Sequence, residues 1–184
     1  VPQNICDRYE EMLSQRISGR PLQYILGEWD FYKSTFFVGE GVLIPRPETE
    51  QLVEICVKEI RKNSYKTVYD LCAGSGCIGI SIAKECPDVQ VVMFELFDNA
   101  LKYTQKNLEA HKLKNAKLVK FDVLNDDVSL LQNVDLLVSN PPYIPCEEIK
   151  SLQAEVLREP HTALDGGEDG LVFYSAFEKK WLDK

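Results

Sequence analysis

The chain has 184 residues, 45% of them hydrophobic and 27% charged, a composition that excludes intrinsic disorder and supplies enough apolar side chains for a real core. With 21 Lys and Arg against 29 Asp and Glu, its net charge of −8 argues against a protein whose main work is to grip a nucleic-acid backbone. No run approaches the ~20 apolar residues of a membrane span, the first residues do not read as a signal peptide, and six Cys without a Cys-x-x-Cys pair favour reduced cytoplasmic thiols over a disulfide scaffold or a zinc site.

Residues 5–18 carry Ile5, Tyr9, Met12, Leu13 and Ile17 at helical spacing, and Gly19 is a stop signal. Residues 23–31 and 34–38 are rich in aromatic and β-branched side chains on either side of Lys33-Ser34, which predicts a β-hairpin. Two prolines in Leu43-Ile44-Pro45-Arg46-Pro47-Glu48-Thr49-Glu50 forbid regular structure there. A helix follows, with Leu52, Val53, Cys56, Val57 and Ile60 on one stripe. From Thr67 the pattern alternates: strand 67–71, turn 73–76, helix 77–85, strand 89–94, helix 99–111, strand 117–121 and strand 134–139. Such alternation predicts an α/β fold, a parallel sheet with helices on both faces. A long loop, a turn at Gly166-Gly167 and a helix to Lys184 complete the chain. Four parallel strands with one flank uncovered suggest a sheet whose C-terminal strands are missing. The expected organisation is the end of a helical region in 1–19, hairpin and linker in 20–47, and an incomplete α/β domain in 48–184.

Four groups of residues carry candidate chemistry. Asp70-Leu71-Cys72-Ala73-Gly74-Ser75-Gly76 places a glycine turn straight after a buried strand, where backbone can approach a ligand and the next helix offers free N–H groups. Gly74, Gly76 and Gly79 fit a dinucleotide spacing, yet the preceding Asp70 suits a cationic amino group better than a pyrophosphate. Glu95 ends the second strand, where an acid can accept from both ribose hydroxyls of an adenosine. Asp98 is the expected N-cap of the helix after it. Asp122, after the third strand, sits where an adenine exocyclic amine could be read. Asn140-Pro141-Pro142-Tyr143, after the fourth strand, is the sharpest of the four. First and fourth strands adjoin at the reversal of a doubly wound sheet, the usual ligand crevice. The Asn140 side-chain carbonyl, the Pro141 backbone carbonyl and the Tyr143 ring together fit a planar NH₂ group on an amide or a nucleobase.

Through Asp70 to Gly76, Glu95, Asp122 and Asn140 to Tyr143, the chain resembles Rossmann-like class I methyltransferases that use S-adenosylmethionine and release S-adenosylhomocysteine. More narrowly it resembles the HemK/PrmC family of protein-(glutamine) methyltransferases. The narrowing motifs are Arg20-Pro21-Leu22-Gln23-Tyr24-Ile25-Leu26-Gly27, the segment 43–50, and Glu159-Pro160-His161-Thr162-Ala163-Leu164-Asp165-Gly166-Gly167. Cys72 stands where the family usually has Gly, and Glu95 where it usually has Asp.

The resemblance implies methylation of the Gln side-chain amide in the Gly-Gly-Gln loop of class-1 peptide chain release factors, a protein methylation belonging to translation termination. It implies a cofactor held by Asp70, Ala73, Gly74, Ser75, Gly76, Glu95, Asp122 and Asn140. The substrate would meet Asn140, Pro141, Pro142 and Tyr143, with Arg46 and Glu48 shaping the site from the proline segment. Neither metal, membrane nor direct nucleic-acid contact is expected. The alternatives are an adenine amino-methyltransferase acting on DNA or RNA, a ribosomal-protein glutamine methyltransferase, and a non-catalytic binding module.

Overall fold

The computed structural model describes residues 2–131 and 134–182. Its main sheet has four parallel strands in the order β5-β4-β3-β6: β3 (Thr67–Leu71), β4 (Gln90–Glu95), β5 (Ala116–Lys120) and β6 (Leu136–Ser139). The first strand of the unit thus lies inside, with β4 on one side and β6 on the other. The strand order reverses between β3 and β6, and a crevice opens above their carboxyl ends.

Alternate side chains go to opposite faces of the sheet. Val68, Val91, Met93, Leu118 and Val138 pack with Val53, Cys56, Ile60, Ile78, Ile82 and Leu108. These come from α3 (Glu50–Asn63), α4 (Cys77–Glu85) and α5 (Asp98–His111). On the other face Tyr69, Leu71, Val92 and Phe94 meet Phe173, Phe177 and Trp181, of and just after α6 (Val172–Lys180). Phe94, Phe121 and Trp181 stack edge to face at 5.3–5.9 Å. Helices on both faces are as the alternation predicted. The last two residues of the predicted terminal helix lie outside the described residues. No helix among the described residues is long and apolar enough to cross a membrane.

Ahead of the sheet, α1 (Gln3–Ile17) and α2 (Leu22–Leu26) precede a two-stranded antiparallel hairpin of β1 (Glu28–Phe31) and β2 (Ser34–Phe37). Three local expectations change. Residues 23–26 are helical, not strand: Pro21 opens the turn, Gly27 at φ +79° closes it, and the Tyr24 hydroxyl donates to the Val42 carbonyl at 2.6 Å. Tertiary anchoring and the turn signals override the β propensity of that stretch. The hairpin turn falls on Tyr32-Lys33, one residue earlier than predicted, with Tyr32 at φ +55°. Finally, Asp98 is the first residue of α5 and caps nothing. Phe97 is the N-cap, and the Asp98 carboxylate accepts from Lys120 at 2.6 Å. The proline segment stays largely irregular but includes one 3₁₀ turn, Pro47–Thr49. The apolar stripe of α1 does not reach the core: Ile5, Tyr9, Leu13 and Ile17 are exposed.

Candidate active site

A cavity of about 410 Å³ lies over the carboxyl ends of β3, β4 and β6, within the size range of small-molecule sites. The glycine loop forms its floor. Ala73, Gly74 and Ser75 line it, while Gly76 turns away. Gly74 and Gly76 adopt φ +59° and +79°. A Cβ on Gly76 would come within 2.8 Å of Thr104, so the loop lies tight against α5. Cys72 also takes a left-handed φ of +61°, the conformation for which the usual family Gly is suited. Burial pushes the Cys72 thiol upward, and that of Cys77 to about 12. Both are therefore protonated near neutrality and unsuited to nucleophilic work.

The strand-end acids do three different jobs. Asp70 is fully buried and does not line the cavity. Its Oδ2 accepts from the Gly79 N–H at 2.9 Å, and its Oδ1 has no hydrogen-bond partner among the described residues. Burial raises its pKa from 3.8 to about 7, with the Glu95 charge adding to the rise against the Gly79 bond. The expected contact between Asp70 and a ligand amino group is therefore corrected, because the strand points this carboxylate under the loop and into α4.

Glu95 does line the cavity. Its Oε2 accepts from Gly74 N–H at 2.8 Å, and its Oε1 from Leu96 and Phe97 N–H at 2.8 and 2.9 Å. A carboxylate has about four acceptor sites, so roughly one remains. Glu95 can take one further hydroxyl as it stands; accepting from two would require release of the Gly74 N–H. Asp122, also on the cavity wall, is held by Leu124 N–H, Asn125 N–H and the Asn125 amide at 2.9–3.2 Å. Burial alone would raise its pKa; the Asn125 and Leu124 hydrogen bonds outweigh that and hold the carboxyl below the usual range. It stays ionised and fixed in direction.

Across the crevice, Asn140 and Pro142 line the cavity, with Pro141 buried between them. The Asn140 Nδ2 is 3.4 Å from Thr49 Oγ1, so the amide presents its carbonyl oxygen as the remaining acceptor. Tyr143 does not line the cavity and is 56% exposed. The expected aromatic plate over the reacting group is therefore corrected to an exposed ring beyond the cavity wall. Its backbone is fixed from behind. A parallel bridge joins Ile144 to Asp165, and a Cβ on Gly166 would lie 2.7 Å from the Tyr143 Cα. Only Gly admits so close an approach at that position.

The proline segment folds along the cleft, with Leu43, Pro45, Arg46 and Thr49 on the cavity wall. Glu48 is exposed and lies off it, so of the expected pair Arg46 and Glu48 only Arg46 reaches the site. The clamp is Glu159, whose side chain is 2% exposed. It accepts from Ile44 N–H at 2.9 Å and pairs with the Arg46 guanidinium. Sequence reasoning missed Glu159 and Thr49 as working residues. Both stood inside quoted motifs, but only tertiary structure brings positions 113 residues apart together.

A family model of the methyltransferase small domain matches residues 48–179, and one of the PrmC N-terminal domain matches residues 1–27. A release factor glutamine methyltransferase of Clostridium botulinum is 38% identical over 179 residues, 96% of this chain and 63% of that protein. One of Thermodesulfovibrio yellowstonii is 40% identical over 168 residues, 90% of this chain and 60% of that protein. The chain thus spans under two thirds of the length of these relatives. A crystal structure of the hMettl16 catalytic domain in complex with the MAT2A 3'UTR hairpin 6 superposes with a TM-score of 0.63 at 18% identity, covering 80% of this chain and 57% of that one. At that identity the likeness is one of fold.

Proposed function

The chain belongs to the methyltransferase small domain family, and from that premise we propose that it methylates the side-chain amide nitrogen of Gln in the Gly-Gly-Gln loop of class-1 release factors, with S-adenosylmethionine as donor, in the cytoplasm. The observation that carries the reading is Asn140, set on the wall of a strand-end cavity with its carbonyl oxygen available.

The cavity fits the donor. A glycine loop with open space above Gly74, an acid with one acceptor site left at Glu95 and a second acid at Asp122 stand in the order amino-acid end, ribose and adenine. Phe94, Phe121 and Leu124 supply apolar walls between them. When bound, S-adenosylmethionine supplies a methyl group activated by the positive sulfur it leaves.

The protein's own residues do the rest. An amide nitrogen is a poor nucleophile, so the rate must come from alignment. Asn140 Oδ1 and the Pro141 carbonyl accept the two amide hydrogens and turn the nitrogen lone pair toward the methyl. Thr49 lies beside the Asn140 amide nitrogen, which leaves the carbonyl oxygen for the substrate. Pro141 and Pro142 carry no N–H of their own to compete for these acceptors. The new N–C bond forms as the S–CH₃ bond breaks, and one amide proton leaves to solvent.

The test is transfer of labelled methyl from S-adenosylmethionine to a class-1 release factor, a ribosomal protein, and adenine-containing DNA and RNA, side by side. The expected product is one methyl on the Gln of the Gly-Gly-Gln peptide. Transfer to nucleic acid with none to the release factor would overturn the reading. The net charge of −8 is poorly suited to that alternative.

A further inference from the structure

Behind the glycine loop, α5 turns two fully buried polar side chains, Thr104 and Asn107, toward it. The Thr104 hydroxyl donates to the Gly74 carbonyl at 2.6 Å, with the Ala100 carbonyl a more distant 3.0 Å away. Asn107 donates through Nδ2 to the Ser75 carbonyl at 2.9 Å and to the Phe37 carbonyl at 3.1 Å. Its Oδ1 accepts from the Phe37 N–H at 2.7 Å. One amide therefore joins three elements: α5, the loop below the cavity, and the second strand of the hairpin. Phe37 lies outside the four-stranded sheet, yet its backbone is held by the same side chain that holds the loop.

We propose that Thr104 and Asn107 are positioning residues for the bound donor, and that through Asn107 the hairpin is coupled to its affinity. This rests on the reading that the cavity takes S-adenosylmethionine. Consecutive loop carbonyls at Gly74 and Ser75 are drawn back toward α5. With those two dipoles turned away, the loop does not aim the Gly74 and Ser75 carbonyl oxygens at the carboxylate of a bound donor. Without the ties, a loop containing two left-handed glycines has many other conformations open to it, and binding must order it first. Coupling between sites is reciprocal, so what the hairpin gives to donor binding, donor binding must give back as protection of Phe37.

The experiment titrates S-adenosylhomocysteine into the unsubstituted chain and into Thr104→Val, Thr104→Ser and Asn107→Ala, with amide exchange at Phe37 followed in each. Thr104→Val keeps the shape and loses the hydroxyl, and should weaken binding about fivefold, the worth of one net hydrogen bond. Thr104→Ser restores the donor and should bind within about twofold of the parent. Added ligand should slow Phe37 exchange in the parent but not in Asn107→Ala. A merely structural role would lower melting temperature in both Thr104 variants without separating their affinities. A folded Thr104→Val that binds as the parent does, or Phe37 exchange in the parent that ignores the ligand, overturns the proposal. Should Asn107→Ala not fold, those two measurements decide alone. Failure of the unsubstituted chain to bind would instead bring down the donor reading itself, a result visible before any variant is compared.

Discussion

Asp70 should make the fold less stable as pH rises from about 4 to 7, the reverse of the usual carboxylate. Its folded pKa is about 7 against 3.8 for the free group. Between those values the folded chain holds a proton that the unfolded chain has released. Stability then falls with rising pH, because the native state binds more protons. The full difference is about 4 kcal/mol at 1.36 kcal/mol per pKa unit. It is present below about pH 4 and gone above about pH 7. His111 works the other way. Burial, with Lys84 nearby, lowers its pKa, so its neutral folded form loses stability as pH falls through the unfolded value near 6.5. Comparison of the parent with Asp70→Asn removes that term. Urea denaturation from pH 4 to 8 should show a gap between the two chains that changes between about pH 4 and pH 7 and levels off above that, the Asn variant gaining on the parent as pH rises. A constant gap across that range would mean that Asp70 does not titrate there, and the account of its burial would be wrong.

Glu95→Gln should weaken S-adenosylhomocysteine binding by about 1–3 kcal/mol, the range for hydrogen bonds to a charged partner. Calorimetry giving an unchanged affinity would remove Glu95 from the ribose site. Asn140→Ala should reduce single-turnover methyl transfer by ~10²–10³ and leave donor affinity close to that of the parent, since the anchors proposed for the donor lie at and after the ends of β3, β4 and β5; transfer at the parent rate would refute the alignment role. Glu159→Gln keeps an acceptor for Ile44 but loses the charge that pairs Arg46. It should cost about 1–3 kcal/mol in urea denaturation, whereas a midpoint equal to the parent's would show that the clamp on the proline segment carries no stability.

The sheet was legible because buried parallel strands read as short apolar runs, and each of 67–71, 89–94, 117–121 and 134–139 was close to such a run. The acids at their ends were legible as positions but not as directions. Asp70 is the penultimate residue of β3 and Glu95 the last of β4. Asp70 pairs with Met93, two residues before Glu95, so the pleat puts both acids on one face; Glu95 reaches the cleft because it stands one step farther along, while the Gly79 N–H holds Asp70 beneath the loop. Residues 23–26 misled because aromatic and branched content is a weak signal against a Pro start, a left-handed Gly stop and a buried Tyr24 hydrogen bond. The partners of Glu159, Thr104 and Asn107 could not be read, although Glu159 stood inside a quoted motif. Each works through a partner at least 30 residues away, and in one dimension each is an ordinary polar residue on a helix or a loop.

The two halves of the cavity are held by separate means. The glycine-loop half hangs from α5, through Thr104 and Asn107, and from Glu95, which accepts the Gly74 N–H from the opposite side. The Asn140 half hangs from residues 159–167, where Glu159 fixes the proline segment and the Ile144 bridge fixes the backbone beside Tyr143. The halves meet where β6 lies against β3, and there Ser139 Oγ donates to the Leu71 carbonyl at 2.6 Å. Under the proposed function, in-line transfer would demand that a nitrogen set by one half face a methyl set by the other, so their relative placement would matter as much as either site. β3 and β6 pair in parallel over Val68–Leu71 and Leu136–Ser139, and side chains set by strands are held more precisely than side chains set by loops alone. On the proposed reading the reversal suits the chemistry, because two separately anchored loops end there side by side on paired strands.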